Sequence, residues 1–298
     1  MKKLLAVLLT AAMTMAMLTA CGSSTEATDT TTETTEAEAD TTTDDAAVEE
    51  TAEAADAAEE TADTEAAVSE ALADGMLTAG TNAEFPPFEY VGDDGEADGF
   101  DIALIKAIAE KLGVDVQVDN MEFASLVSSI GNKIDVAIAG MTITDERKEA
   151  VDFSEPYYEA VQYVLLPEGS EIATAEDLKN KTIGVQLGTT GDFIASDIEG
   201  TTVNTYNKGV DAVNDLINGR VDCVIIDKNP ALVFESKFQD DGSKITAVDG
   251  AQFEFEPEYY AIAVPKGDTA LVDAINKAIE ELKADGTFDE LVKTYIEE

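Results

Sequence analysis

The stretch "AGMTITDERKEAVDF", residues 139–153, contains a single arginine, Arg147, three positions after Thr144. Thr144, Asp145 and Glu146 read as the cap and first turn of a helix, so Arg147 sets a cation at the helix end that repels cations. Something other than helix stability is expected to hold it there. A planar guanidinium fork can grip a carboxylate bidentately, which lysine cannot do. Other residues with chemistry to offer are Thr190 in "LGTTGDF", Asp227 at the end of "VDCVIID", Phe85 in "TNAEFPPF" and Phe123 in "NMEFASL". Read alone, each has a plain structural use. A Gly-Thr turn caps a helix, an Asp before "KNPALVF" does the same, and a phenylalanine beside prolines packs in a core. "LGTTG" is no phosphate loop, because the Gly-Lys-Ser/Thr ending is absent.

The 298 residues leave room for one large or two moderate domains, and 63 acidic against 18 basic residues give a formal charge of −45. A phosphate backbone would be repelled, so nucleic acid is excluded as a partner. The sequence has no histidine. That removes the commonest general base, the commonest zinc ligand and every Ser-His-Asp triad. No cluster of carboxylates at metal-ligand spacing emerges, and neither a metal nor a cofactor is expected. Cys223, in the apolar run "RVDCVIID", reads as a buried, inert thiol.

From Met76 onward short apolar strands alternate with amphipathic helices. "MLTAGTNA" reads as a strand, and "FDIALIKAIAEKLG" places Ile102, Ile105, Ile108, Ala109 and Leu112 at helical spacing before a stop at Gly113. A strand "VDVQVDN", a helix around "FASLVSSIGN" and a strand "IDVAIAG" follow. This β-α-β-α-β order predicts an α/β layer fold with parallel strands. The grammar restarts after "PYYEAVQYVLLPEG": a capped helix "TAEDLKN", strand "KTIGVQLG", helix "TGDFIASDI", strand "TTVNTY", helix "GVDAVNDLINGR" and strand "VDCVIID". A strand "YYAIAVPKG" and two helices end the chain. Open α/β sheets bind ligands beyond the carboxyl ends of their strands. Arg147, Thr190, Asp227, Phe85 and Phe123 all fall in loops of that kind.

The first twenty residues, with Lys2-Lys3 before "LLAVLLTAAMTMAM", have the pattern of a secretory signal and are too short for a convincing membrane span. Their ending "LTAC" looks like a bacterial lipobox, which implies cleavage before Cys21 and lipidation of its thiol. Acyl chains contribute about 0.8 kcal/mol per buried methylene, so the chain would be anchored at a membrane surface without spanning it. From Gly22 to about Asp74 the sequence is almost wholly Thr, Glu, Asp and Ala. Such a segment is expected to be a self-repelling, disordered tether, spanning 21–75 with the lipidated cysteine.

Together "GTNAEFPPFEY", "GFDIALIKAIAEKLG", "KIDVAIAGMTITDERKEAVDFSEPYY", "IGVQLGTTGDF", "GRVDCVIID" and "LKADGTFDELVKTY" resemble the bacterial extracellular solute-binding proteins of family 3, the polar amino-acid receptors of ATP-driven importers. The resemblance runs from Met76 to Glu298. It implies an α/β, two-lobed periplasmic-binding-protein-like (type II) flytrap with two hinge crossings. Lobe 1 would be 76–157 with 261–298, lobe 2 161–255, and the hinge 158–160 with 256–260. Arg147 matches the family's carboxylate-binding arginine. Thr142 matches a donor of backbone N–H and hydroxyl, Ala139 and Gly140 the exposed strand-end backbone, and Thr190 a second-lobe donor to the carboxylate. Asp227 matches the acceptor for the ligand's α-ammonium group. Phe85 and Phe123 match the aromatics flanking the ligand side chain, whereas Phe88 is expected to be structural. Asn82 stands at a position often occupied by Asp, and Gln186, like Glu84, falls at the pocket rim.

The resemblance further implies a monomer, not an enzyme, whose partners are a polar α-amino acid, an ABC permease and its ATPase. The expected location is extracytoplasmic, on the outer face of the bacterial cell membrane. Dehydratase-type enzymes and sensory ligand-binding domains use the same fold and are the alternative readings.

Overall fold

The computed structural model describes residues 69–297. The expected signal, lipidation at Cys21 and most of the acidic tether lie outside the described residues. The expected tether's last residues depart from expectation, because Ser69 caps a 3₁₀ turn, Glu70–Leu72, that packs on the fold. Ala71 and Leu72 pack against the core, and the Ser69 hydroxyl donates to Asp268 Oδ2 at 2.6 Å. Asp268 also caps the helix Thr269–Asp285.

Two five-stranded sheets share one plan. In the first, the spatial order is Asp115–Asn120, Met76–Thr81, Val136–Ala137, Ala263–Pro265, Val151–Phe153. In the second it is Thr202–Tyr206, Thr182–Gln186, Cys223–Asp227, Gln162–Pro167, Ile245–Asp249. The first three strands of each sheet run parallel, as the β-α-β order predicts. The fourth is antiparallel to its neighbours in both sheets, so the sheets are mixed rather than wholly parallel. That fourth strand is in each case the one the chain enters on crossing from the other sheet.

The two crossings run side by side, with Tyr158–Ala160 pairing antiparallel with Glu258–Tyr260. The expected single strand "YYAIAVPKG" is therefore two, Glu258–Tyr260 and Ala263–Pro265, because its pairing partner changes midway. Phe88 is fully buried against this ribbon, its ring centroid 4.9 Å from that of Tyr158 and 5.2 Å from that of Tyr260. The helix Phe100–Leu112 buries Ile102, Leu104, Ile105, Ile108 and Ala109, and stops at Gly113 in the left-handed conformation. The expected helix at "FASLVSSIGN" is a 3₁₀ turn, Phe123–Ser125, and a short helix, Leu126–Ser129. "TAEDLKN" is likewise a 3₁₀ turn, Ala175–Leu178, closed by a capping box between Thr174 and Asp177. The strand "IDVAIAG" is cut to Val136–Ala137, since Gly140 turns to φ +52° and gives its N–H to Asp101 at 2.7 Å. Cys223 is buried, and burial pushes its thiol up to about 12.

Gly99 opens the helix that carries Asp101. Its φ of +123° and the 2.3 Å that would separate an added Cβ from the Phe88 carbonyl oxygen leave room for glycine alone. Gly99→Ala should cost about 2 kcal/mol or more through strain. At about 2–4 °C per kcal/mol, thermal denaturation should fall by about 4–8 °C. Gly75→Ala, at φ +79° with open space around it, is the control and should shift melting by less.

Candidate functional site

Arg147 is the third residue of the helix Asp145–Ala150, whose cap, Thr144, accepts the Arg147 N–H at 3.1 Å. Its side chain turns inward and is only 7% exposed. Nη1 donates to the Thr142 carbonyl at 2.6 Å and Nη2 to the Gly188 carbonyl at 3.0 Å, so the guanidinium bridges the two lobes. Its Cζ lies 5.4 Å from the Phe123 ring centroid. Two of five N–H donors are thus engaged, and the fork retains donors for a ligand. Burial lowers its pKa, and the charges of Glu258 and Asp227 oppose that shift.

Asp227 ends the strand Cys223–Asp227 and stands at the cap position of the helix Lys228–Asp240. Its side chain makes no capping bond. It is 7% exposed and its Oδ1 accepts the Tyr260 hydroxyl at 2.6 Å. Burial first, and then the charge of Glu258, push its carboxyl up to about 7. At the start of the helix Thr190–Asp197 the cap is Thr189, which accepts the Asp192 N–H at 3.3 Å. Thr190 is thereby free of capping duty, and its hydroxyl donates to Glu258 Oε2 at 2.7 Å.

Asn82, Phe85, Phe123, Ala139, Gly140, Thr142, Arg147, Gln186, Thr190 and Asp227 line one narrow cavity, whose roughly 310 Å³ of space not filled by atoms includes open solvent. The fold brings all of them together because each follows the carboxyl end of a strand or opens the helix or loop after one. Gln186 Nε2 crosses the cleft to Asn82 Oδ1 at 2.8 Å and also donates to the Asn207 carbonyl at 3.0 Å. Asn82 Nδ2 donates to the Met121 carbonyl at 2.9 Å. Glu84, expected at the rim, forms an ion pair with Lys208 across the cleft mouth. Phe85 packs on Gly140, where an added Cβ would meet its ring at 2.8 Å.

Three residues of the site escape the sequence reading. Thr189 and Glu89 line the cavity, and Glu258 bonds Thr142 and Thr190. Glu89 is fully buried and neither carboxyl oxygen has a hydrogen-bond donor. Burial and the neighbouring Asp101 charge hold its pKa well above the usual carboxyl range, and Asp101 itself is pushed up to about 6. Asp101 Oδ1 likewise has no hydrogen-bond partner, so three carboxyl oxygens are buried here without donors. Asp101 Oδ2 holds both the Gly140 N–H and the Tyr157 hydroxyl at 2.7 Å. Nothing in a sequence with 63 acidic residues marks Glu89 or Glu258 apart from solvated acids. Only the preference for paired buried carboxyls could have found them, and that needs the fold.

The model of the bacterial extracellular solute-binding proteins, family 3, matches residues 77–298. The L-cystine-binding protein TcyJ of Escherichia coli K12 is 35% identical over 231 residues, covering 76% of this chain and 85% of the relative. The arginine-binding extracellular protein ArtP of Bacillus subtilis is 36% identical over 225 residues, covering 74% and 85%. A solved structure of an ancestral arginine-binding protein bound to arginine is 42% identical and superposes with a TM-score of 0.70 over 74% of this chain and 98% of that one. The matched region carries both sheets, both crossings and every cavity-lining residue. The chain therefore belongs to the bacterial extracellular solute-binding proteins of family 3.

Proposed function

We propose that this chain is the extracytoplasmic binding component of an ABC importer, holding a polar α-amino acid between two closing lobes and delivering it to the permease. The observation that carries the reading is a buried cation and a buried carboxylate, Arg147 and Asp227, on opposite lobes of one cavity. An arginine fork takes the ligand's carboxylate, and Asp227 takes its α-ammonium group. Thr190 adds the N-terminus of an eight-residue helix, which favours the same anion. Ala139, Gly140 and Thr142 supply strand-end backbone. Phe85 and Phe123 flank the side chain, and the Asn82 and Gln186 amides meet its polar end. The relatives are named for cystine, arginine and histidine, all polar α-amino acids, which supports the class.

In this reading the lobes are 76–157 with 261–298 and 161–255, moving about a hinge at 158–160 and 256–260. The pairing of Tyr158–Ala160 with Glu258–Tyr260 supports that division. The protein works as a monomer without enzymatic activity, anchored by lipid on Cys21 after removal of 1–20, with 21–75 as the tether. Intact mass spectrometry of the exported protein should show an acylated cysteine at the new N-terminus; an unmodified thiol would exclude the anchor.

A thermal-shift screen over the amino acids should raise the melting temperature with at least one polar member, since a ligand of the folded state stabilises it. Charge-assisted hydrogen bonds contribute about 1.5–3 kcal/mol each, so Arg147→Ala should weaken that ligand by on the order of 100-fold. Circular dichroism should show the variant folded. Unchanged affinity would refute the assigned role.

The pH dependence follows from Asp227, which is faced by Tyr260, Glu258, Arg147 and Glu89. Its carboxyl, pushed up to about 7, must ionise to hold an ammonium group. Affinity should therefore be full above pH 7 and fall by about tenfold per pH unit below it. Asp227→Asn should bind weakly at pH 8 and flatten the profile. A wild-type profile that is level between pH 5 and 8 would count against this assignment.

A further inference from the structure

Glu258 sits on the strand Glu258–Tyr260, at the point where the two crossings run side by side. Its Oε2 accepts the Thr142 hydroxyl at 2.7 Å and the Thr190 hydroxyl at 2.7 Å, with Gln162 Nε2 at 3.4 Å. Thr142 follows a strand of the first sheet and precedes Arg147. Thr190 opens the helix after a strand of the second sheet. One carboxylate oxygen thus joins a residue from each lobe beside the cavity that both threonines line.

A hydroxyl has one proton to give. With that proton committed to Glu258, each threonine oxygen offers only lone pairs in other directions, and Thr190 already receives Gln162 Nε2 at 3.2 Å on one of its two. Lone pairs receive the N–H bonds of an ammonium group and repel a carboxylate oxygen. The ligand's carboxylate is then left to the Arg147 fork and to backbone N–H groups, and the threonine oxygens add to Asp227 as acceptors.

We propose that Glu258 is a positioning residue that fixes the hydroxyls of Thr142 and Thr190 as acceptors facing the ligand's ammonium group and couples the two lobes when they close. The inference rests on the reading that the cleft binds an α-amino acid. It also explains why a hinge residue bears a carboxylate that reaches into the site, a feature that hinge bending alone does not require.

Glutamine and aspartate separate this role from charge alone. Glu258→Gln keeps an oxygen at the same reach, and Glu258→Asp keeps the charge but is one methylene too short to meet both hydroxyls. Calorimetric titration with the amino acid that most stabilises the wild type should place Gln within about threefold of wild type. Asp and Ala should be at least about tenfold weaker, the loss of one or two oriented hydrogen bonds. Thr142→Val combined with Glu258→Ala should cost less than the sum of the single changes. An order in which Asp binds as well as wild type and Gln as poorly as Ala would overturn the proposal, as would Ala within twofold of wild type. If Ala does not fold, the Gln and Asp pair decides alone. A wild type that answers to no amino acid overturns the functional reading itself, whereas a wild-type response that all three variants keep overturns the role of Glu258 only.

Discussion

Arg147 is only 7% exposed, so its guanidinium has lost most of its water, and the rest of the site is arranged around that loss. An unpaired buried charge costs several kcal/mol, so Arg147 needs acceptors and anions close by. Two backbone carbonyls, one from each lobe, and the charges of Glu258 and Asp227 supply them. One cation facing two carboxylates leaves a surplus of negative charge. Asp227 relieves it by holding its proton up to about pH 7, with the Tyr260 hydroxyl as its fixed partner. A buried cation and a buried carboxylate on opposite lobes are the pattern on which the proposed binding of a zwitterion rests.

Two sheets with one strand plan place these groups within reach of each other. In each, three parallel strands end on the cleft side, and the returning strand enters antiparallel from the crossing. Aromatic packing surrounds the crossing ribbon: Phe88, Tyr158 and Tyr260 stack in edge and face contacts around it. Polar contacts across the cleft, such as Gln186 to Asn82 and Lys208 to Glu84, form only where the lobes meet.

Beneath the cavity a second buried pair supports the backbone that a ligand would meet. Burial and the Asp101 charge hold the Glu89 carboxyl well above the usual range, and Asp101 fixes the Gly140 N–H and Tyr157. Gly140 suits its left-handed turn, and the Phe85 ring packs where any Cβ would be, so both features call for glycine there. A charge-assisted bond to a backbone N–H and an aromatic wall thus set the shape of the strand end together.

Much of this was legible in the sequence because the signals are local. Helical spacing of Ile102, Ile105 and Ile108, the cap Thr144 ahead of Arg147 and the strand "VDCVIID" each follow from neighbours along the chain, and motif order gave the family and the candidate residues. Departures came where distant partners decide. "YYAIAVPKG" divides because its two halves pair with different strands, "IDVAIAG" is cut short by a bond to Asp101, and the tether's end docks on Asp268. Asp227 and Thr190 could each have been a helix cap by sequence; the structure gives the second duty to Thr189 and leaves Asp227 uncapping. Glu89 and Glu258 were invisible among so many acids, since nothing local separates a solvated carboxylate from a buried one. The sequence by itself determined which groups exist and which strand end each follows. Only the tertiary structure decided which of them lose water together, and it is that shared desolvation that turns an arginine, an aspartate and two threonines into a site.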